Sequence, residues 1–317
     1  MIDKKIYEEF LQMRKEDFDK LICSAKGNKE REFWIAICSY FFNNPKTIYH
    51  YTNFSALEGI LFGEGIRMCR TDNMNDKKEM KNFIELIEEA VINRVGLQMK
   101  QSINERFAEE RKKRQDDIAY LTSFSLWKDD ASQWERYGND GYGVAIAFDY
   151  EKLKGLAMDK NILLQKVFYG EDAKHHKLVD VLEDLFLGKS NVRHQFTSND
   201  WETIFDQIWA ISVAHKNFSF ESEKEIRLVT LPTWTGKRYD RLGDLQVVTT
   251  PYGIKECLYF DWKKGCCDRN IPIEEFITEL TIGPRSSVEV EDLRKWLKDK
   301  KLDCLARCVG KSGSTLK

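Results

Sequence analysis

The segment Phe220-Glu-Ser-Glu-Lys-Glu-Ile-Arg-Leu-Val-Thr230 passes from alternating charges to a run of apolar residues. Glu223, Glu225 and Arg227 stand two residues apart, and side chains at this spacing share one face of a strand, about 7 Å from each other. The apolar residues that follow indicate that the same strand continues into a core. We therefore predict that two carboxylates and a guanidinium project together from the start of a strand.

This charged face allows two interpretations. A fixed carboxylate stabilises the positive charge that develops on a sugar ring when a glycosidic bond breaks, so the face suits chemistry with an oxocarbenium-like transition state. Alternating charges also protect exposed edge strands from pairing with other chains, and the three residues then form a solvated edge. The spacing of these three residues does not distinguish the two interpretations, so other parts of the sequence are needed.

The composition is that of a folded protein with one large domain or two ordinary ones. The chain has 317 residues, of which 42% are apolar and 12% aromatic, and it has only 5 prolines, so extended disorder is not expected. Its 50 basic and 52 acidic residues give a formal charge of −2. This balance argues against a general electrostatic attraction to nucleic acid or to an anionic membrane.

We expect a cytoplasmic protein. The uncharged apolar stretches are much shorter than the roughly 20 residues of a membrane span, and the charged pattern after Met1 does not read as a signal peptide. The cysteines form no Cys-x-x-Cys pair and have no histidine at zinc-ligand spacing. We expect buried or free thiols in a reducing cytosol, and their spacing gives no functional signal: Cys23, Cys38, Cys69, Cys257, Cys266, Cys267, Cys304 and Cys308.

Hydrophobic periodicity and turn residues predict the following elements. Strands are predicted at 47–51, 66–69, 119–125, 141–148, 163–169, around the glutamates, and at 245–249, 257–260, 277–282 and 304–309. Helices are predicted as a pair over 3–43 and at 55–61, 77–115, 131–137, 173–187, 201–217 and 288–298. The helix 55–61 is predicted to start with a capping box formed by Ser55 and Glu58.

These elements do not alternate regularly between strand and helix, which favours an α+β fold. We predict a mixed, mainly antiparallel central sheet with peripheral helices. Residues 1–44 are predicted to form an N-terminal helical extension, and residues 45–317 a single domain with a helical insert at about 77–115.

The ends of two predicted strands carry further polar residues. His50 and Thr52 share one face of the first strand. A histidine there can donate to a ribose hydroxyl or bind a metal, although a lone histidine more commonly has a structural role. Ser123 and Ser125 place two hydroxyls on one face of a later strand, where they either contact a ligand or cap the following turn.

Aromatic residues follow these serines closely. Trp127, Trp134 and Tyr137 offer a ring that can stack on a planar ligand, but Trp134 and Tyr137 at helical spacing also suit the packing of a short helix on a sheet. Asp76 and Glu79 stand at a helix start, where capping and the helix dipole explain them.

Several motifs occur in an order that resembles a known family. They are Tyr49-His-Tyr-Thr52, Asp76 at a helix start, Ser123-Phe-Ser125, Trp134-x-x-Tyr137, Gly143-Val-x-Ile-x-Phe148, Lys216, Phe220-x-x-Glu-Lys-Glu-Ile-Arg-Leu-Val229 and Ile282-Gly-Pro284. With these motifs the chain looks like the bacterial domain-of-unknown-function family 2971 over about residues 45–310. The family name implies no reaction.

A second resemblance, to ADP-ribosyltransferase-like folds, implies one. In such folds a histidine or arginine on the first strand contacts the ribose of NAD, a second strand carries a Ser-x-Ser or tyrosine element, and a later strand carries the catalytic glutamate. The elements His50-x-Thr52, Ser123-x-Ser125 and Glu223-x-Glu225 stand in this order.

The resemblance also implies a role for each position. His50 and Thr52 would hold a ribose of NAD, and Ser123 and Ser125 would support the pocket. Glu225 would contact a ribose hydroxyl and stabilise the oxocarbenium ion as nicotinamide leaves, Glu223 would orient or deprotonate the acceptor, and Arg227 would hold Glu225 or a pyrophosphate oxygen. Independently of the resemblance, we assign Trp134 and Tyr137 to the same cofactor site, where a ring can stack on a planar ligand.

Three hypotheses follow. The first is an NAD-consuming ADP-ribosyltransferase or NAD glycohydrolase, which binds a small-molecule nucleotide, needs no metal and passes ADP-ribose to water, a protein or a nucleic acid. The second is a metal-dependent nuclease or phosphoesterase, with His50, Asp76, Glu223 and Glu225 as ligands for Mg²⁺ or Mn²⁺. The third is a non-catalytic module that uses an aromatic pocket around Trp127, Trp134 and Tyr137 to sense a ligand, in bacterial antiviral defence or stress.

Overall fold

The computed structural model describes residues 45–63, 65–71, 77–114, 118–160, 162–170, 177–187, 205, 208–209, 211–230, 245–250, 253–261 and 272–316. The predicted helical pair at 3–43 lies outside these residues, as does Asp76.

The strands within the described residues have the following bounds: β1 Thr47–Thr52, β2 Ile66–Arg70, β3 Tyr120–Ser125, β4 Val144–Asp149, β5 Leu163–Lys166, β6 Phe168–Tyr169, β7 His215–Lys216, β8 Glu225–Thr230, β9 Gln246–Thr250, β10 Gly253–Phe260, β11 Ile277–Ile282 and β12 Val309–Lys311. The helices are α1 Phe54–Phe62, α2 Lys77–Val95, α3 Lys100–Lys113, α4 Ala131–Arg136, α5 Tyr150–Asp159, α6 Lys177–Leu187, α7 Val290–Asp299 and α8 Asp303–Ala306. Short 3₁₀ turns occur at Leu97–Met99, Phe218–Glu223 and Ile273–Glu275.

Ten of these strands form the main sheet, which is antiparallel except for the β11–β12 pair. The strand order is β12-β11-β4-β1-β3-β2-β10-β9, and β8 pairs with both β3 and β5. The predicted fold class, α+β with a mixed and mainly antiparallel sheet, is confirmed.

The sheet forks at β3. One edge of β3 pairs with β8 along its whole length, from Tyr120 opposite Thr230 to Ser125 opposite Glu225. The other edge is divided, because β2 pairs only with the beginning of β3 and β1 pairs with it only at Ser125, opposite Tyr49. Strands β1 and β2 therefore separate beside the middle of β3.

The two faces of the sheet differ in chemistry. Cross-strand partners share a face, so the register places Phe124 with Ile226 and Thr122 with Leu228 on one side. This side is covered by the largest hydrophobic core, which is built mainly from the strands and from α1, α5 and α7. Ser123, Ser125, Glu225 and Arg227 alternate with these residues and therefore lie on the opposite, polar face.

Several predicted bounds were wrong. The predicted helix 77–115 is broken at Gly96, whose φ of 104° favours glycine and ends α2. The helical prediction for 201–217 fails at its end, where β7 begins at His215. Residues predicted as a strand from Cys304 begin with α8, and the strand starts at Val309.

The start of α1 also differs from the sequence prediction. Its N-cap is Asn53, whose side chain accepts from the Ala56 amide at 2.8 Å, in place of the capping box predicted at Ser55. Helix α5 follows β4 directly and was not predicted.

The described residues group into two compact units. One contains α2, α3 and α6, together with the described residues between 205 and 212, and has its own core around Phe83, Val91 and Phe107. The other contains the sheet and the remaining helices. The predicted bounds 1–44 and 45–317 stay a prediction. In the part of the chain that the structure describes, no helix has the length and apolar character to span a bilayer.

Candidate functional site

The site lies on the polar face of the sheet, where β3 and β8 pair. Ser125 lies opposite Glu225 and Ser123 opposite Arg227. All four residues alternate with core residues on their strands, which fixes the side from which they project. The predicted convergence of Ser123-x-Ser125 with Glu225 and Arg227 is therefore present in the sheet.

Glu223 reaches the same site from a turn. The sequence predicted it within the strand, but β8 begins at Glu225, and Glu223 ends the preceding 3₁₀ turn. Lys224 between them has a left-handed conformation, with φ at 43°. The Ser125 hydroxyl donates to the Glu223 carbonyl oxygen at 2.9 Å, which ties the turn to β3.

The Glu225 carboxylate is buried and surrounded by donors. Oε1 accepts from the Ser123 hydroxyl and, at 2.9 Å, from Arg227 Nε. Oε2 lies 2.8 Å from Lys216 Nζ and 3.4 Å from Arg227 Nη2. Burial alone would raise the pKa of Glu225, but the charges of Arg227 and Lys216 overcome it and lower that pKa to about 2. The carboxylate is therefore ionised at every physiological pH.

Lys216 bridges the two glutamates. Its Nζ lies 2.7 Å from Glu223 Oε2, in addition to its contact with Glu225. Burial would lower the pKa of Lys216, but the nearby carboxylates outweigh it and raise that pKa. The ammonium group is also 5.2 Å from the centre of the Phe220 ring. Lys216 belongs to the family motifs in the sequence, but it was predicted at the end of a helix, so its place between the two glutamates was not predicted.

The other oxygen of Glu223 faces the surface. Oε1 accepts from Tyr137 Oη at 2.9 Å and from Arg136 Nη1 at 3.0 Å. Burial and the charge of Glu223 raise the pKa of Tyr137 to about 12, so its hydroxyl remains a donor. Arg136 ends α4, which packs on the polar face through the contact of Trp134 with Tyr51. The sequence did not single out Arg136.

The ionic cluster therefore carries an excess of positive charge. Within the described residues, Lys216, Arg227 and Arg136 contact the two carboxylates Glu223 and Glu225, which gives three positive charges against two negative ones, or a net charge of +1. Lys216 and Arg227 are buried, whereas half of the Arg136 side chain is exposed. The surplus charge thus lies at the exposed end of the cluster.

Aromatic side chains flank this exposed end. Trp127 and Tyr137 are each 48% exposed. The Trp127 indole donates to the Ser222 carbonyl oxygen at 3.1 Å, directly beside Glu223. Trp134, in contrast, is fully buried, and its indole donates to Asp129 at 2.6 Å. Trp134 therefore supports α4 and offers no face to a ligand, whereas the other two rings do.

His50 and Thr52 lie elsewhere. They pair with Ile146 and Val144, which belong to the apolar core on the other face of the sheet. The imidazole contacts the Phe124 ring at a centroid distance of 5.7 Å. The structure therefore brings together the predicted serines, glutamates, Arg227 and Tyr137, and places His50 and Thr52 on the opposite face.

His50 is nevertheless joined to the site through the main chain of β3. Its Nδ1 lies 3.0 Å from the Ser123 carbonyl oxygen. Because a carbonyl oxygen only accepts, this bond requires a proton on Nδ1 and leaves Nε2 as an acceptor in the neutral ring. Burial lowers the pKa of His50, with the bond to Ser123 opposing it, so the ring is neutral near pH 7.

The cations limit what else the site can bind. Lys216 Nζ stands between the two carboxylates, where a metal ion bridging them would have to lie. In the described part of the chain, no group of three or more histidine, cysteine, aspartate or glutamate side chains has the arrangement of a metal site. Asp76, which the metal hypothesis requires, lies outside the described residues.

Comparison with known proteins gives a match to one family model, over part of the chain. No curated protein and no solved structure matches the chain. Residues 133–228 match the model of a family described as "Protein of unknown function (DUF2971)". The matched residues run from α4 into β8 and include Arg136, Lys216 and both glutamates. The match confirms the predicted resemblance to this domain-of-unknown-function family over residues 133–228.

Proposed function

We propose that the protein consumes NAD, either as an ADP-ribosyltransferase or as an NAD glycohydrolase. The observation that carries the proposal is the Glu225 carboxylate, which is buried, ionised and held by Ser123, Lys216 and Arg227 on a fork in the sheet. A carboxylate fixed in this way is preorganised to stabilise positive charge on a sugar.

In the proposed reaction, the bond between ribose C1′ and the nicotinamide nitrogen breaks. The bonding electrons leave with nicotinamide, and the ribose becomes an oxocarbenium ion. Glu225 stabilises this cation. Its Oε2 also accepts a hydrogen bond from a ribose hydroxyl, which replaces the 3.4 Å hydrogen bond from Arg227 Nη2. Water or an acceptor nucleophile then bonds to C1′ and loses a proton to Glu223 or to solvent. Its pKa of about 2 keeps Glu225 in the charged form that this role requires.

The surroundings of the carboxylates support a dinucleotide as substrate. Arg136 places a half-exposed guanidinium at the end of the cluster with the surplus positive charge, which suits a pyrophosphate. Trp127 and Tyr137 offer half-exposed rings near Glu223 for stacking on a base or on nicotinamide. His50 acts as a positioning residue, because it holds the main chain of Ser123 and not the ribose.

The two other hypotheses have less support. The metal-dependent one requires a cation where Lys216 Nζ already neutralises both carboxylates. The non-catalytic one is favoured by a specific observation, since every oxygen of Glu223 and Glu225 already accepts a hydrogen bond or an ion pair. Under that hypothesis, the exposed aromatic rings bind a nucleotide that is not cleaved.

The direct test is to incubate the purified protein with NAD and to quantify free nicotinamide by chromatography. We expect release by the wild type, insensitive to a metal chelator. Glu225→Gln should lower the rate roughly 100-fold or more, because one preorganised charge is lost. Glu221→Gln is the matched control, since Glu221 is in the same turn but bonds only to Lys224 among the described residues. It should keep the wild-type rate.

Each result separates the hypotheses. NAD binding by calorimetry without nicotinamide release, with or without a cell extract as acceptor source, would reject catalysis and support the sensor. Loss of nicotinamide release with a chelator would contradict the proposed metal-independent reaction. A Glu225→Gln protein that releases nicotinamide at the wild-type rate would remove Glu225 from the mechanism. Circular dichroism of this variant has to match that of the wild type for the comparison to count.

A further inference from the structure

Two cysteines outside the ionic cluster lie opposite each other on neighbouring strands of the sheet. Cys69 on β2 and Cys257 on β10 are direct partners in the antiparallel register. Their sulfur atoms are 3.5 Å apart, and both are free thiols. The sequence offered no sign of this pair, because the residues are 188 positions apart and no Cys-x-x-Cys motif contains them.

The geometry suits a disulfide. Opposite residues in antiparallel strands have Cα atoms about 4.5–5.5 Å apart, and disulfides span Cα distances of about 4.4–6.8 Å. The two sulfurs need to approach by about 1.5 Å to reach the bonded distance of about 2.0 Å. Rotation of the side chains supplies such a movement, and the strands can keep their register.

The two thiols differ in reactivity. Cys257 is buried, whereas Cys69 is partly exposed and therefore reachable by a small oxidant. The hydrogen bond with Cys257 and the charges of Lys255 and Arg67 lower the pKa of Cys69, and the same hydrogen bond together with burial raises the pKa of Cys257. Cys69 is thus suited to be the attacking thiolate and Cys257 the resolving thiol.

We propose that Cys69 and Cys257 form a reversible thiol–disulfide couple that joins β2 to β10 when the protein meets a hydroperoxide. The Cys69 thiolate attacks hydrogen peroxide, breaks its O–O bond and becomes a sulfenic acid, and the released hydroxide takes up a proton to form water. The Cys257 sulfur then bonds to the Cys69 sulfur, and the sulfenic hydroxyl leaves as a second water with the Cys257 proton. Two thiols and one peroxide give one disulfide and two waters.

This couple is independent of the proposed NAD chemistry. Its neighbours Arg70 and Glu256 form an ion pair at 2.8 Å, and Glu256 also accepts from Tyr120 Oη at 2.8 Å on β3. The disulfide therefore forms between strands that are already held in place by polar contacts beside the pair.

The test is a peptide map of the full-length wild type after a short exposure to hydrogen peroxide. Remaining thiols are blocked with N-ethylmaleimide in denaturant, and the digest is analysed by mass spectrometry without reduction. We expect a peptide pair joined through Cys69 and Cys257 in most molecules, and its complete loss after dithiothreitol. Cys304→Ser, at an exposed cysteine of the same unit, is the matched control and should not change the yield.

A second variant identifies the order of events. In Cys257→Ala, Cys69 should accumulate as a sulfenic acid that dimedone traps, because the resolving thiol is missing. The proposal is overturned if wild-type Cys257 is recovered fully alkylated while Cys69 is oxidised to sulfinic acid, or if Cys69 is joined to another cysteine. The wild-type map gives this answer even if the alanine variant does not fold.

Discussion

Two buried glutamates in this protein are held by cations in different ways. Glu110, in the helical unit, contacts Arg106, Lys113 and Arg114, which stand four residues before it and three and four residues after it on α3. Glu225, in the sheet unit, takes its partners from separate elements: Lys216 from β7 and Ser123 from β3, with Arg227 from its own strand. In each case the pKa of the carboxyl group is lowered despite burial.

The two clusters differ in how far their cations are removed from water. On α3, helical spacing alone brings the charges together, and Lys113 is 47% exposed, so it keeps much of its hydration. At the site, the Lys216 and Arg227 side chains are only 11% and 1% exposed. Replacing such a buried ionic group by apolar residues is often neutral or stabilising. Burial of an ionic cluster is therefore weak evidence for a stabilising role, and a buried cluster in contact with a half-exposed arginine is a candidate for chemistry.

The largest expected effect follows from removing the bridging cation. Lys216→Met keeps the length of the side chain but leaves Glu223 and Glu225 facing each other with less compensation. We expect a loss of about 3–5 kcal/mol in the free energy of unfolding, the usual penalty for breaking a buried ion pair, because Lys216 contacts both carboxylates. Urea unfolding followed by circular dichroism measures it.

The matched control for this change is Lys113→Met on α3. It also removes an ammonium group from a buried glutamate, but from one that keeps Arg106 and Arg114. The change in unfolding free energy should be much smaller. Equal losses in the two variants would mean that the two clusters contribute equally to stability.

A second, somewhat smaller effect concerns pH. The folded pKa of Glu225 is about 2 against an ordinary value of 4.5, so the folded state favours the charged form. The resulting stability is fully present above pH 4.5 and is lost as the pH falls towards 2. At 1.36 kcal/mol for each pKa unit, it amounts to about 3 kcal/mol.

The measurement is the difference in unfolding free energy between the wild type and Glu225→Gln at pH 6 and at pH 3. Subtraction removes the titration of all other groups that the two proteins share. We expect the difference to shrink at pH 3, because Glu225 in the unfolded wild type is then protonated. A difference that stays constant would show that the folded pKa of Glu225 is not depressed.

The same contrast explains which parts of the fold and of the site can be predicted from the sequence. Period-2 patterns located β1, β3 and β8 within about two residues, because alternation of core and polar side chains is a local property. Helical spacing likewise makes the partners of Glu110 readable from the chain. Partners from separate strands are not readable in this way, because a single sequence carries no information on which strands become neighbours.

Three features of the site show where that limit lies. His50 and Thr52 were correctly expected to share a face, but only the pairing with β4 reveals that this face is the core side. Glu223 was expected in the strand, because no glycine marks the left-handed turn at Lys224. Lys216 was expected in a helix that ends before it, so its place between the glutamates was missed.

The smallest expected effect tests the exposed end of the cluster. Tyr137→Phe removes a single hydroxyl that donates to Glu223 Oε1 at 2.9 Å, and Arg136 still donates to the same oxygen at 3.0 Å. Because the tyrosine is half exposed, water replaces part of the lost bond. We expect a loss of about 1 kcal/mol in the free energy of unfolding, the typical net contribution of a hydrogen bond. Tyr142→Phe is the control, since this tyrosine is 53% exposed. A loss as large as that for Lys216→Met would mean that Tyr137 stabilises Glu223 as strongly as the buried ammonium group does. The cluster would then have no weakly held, solvent-facing contact that a ligand could replace.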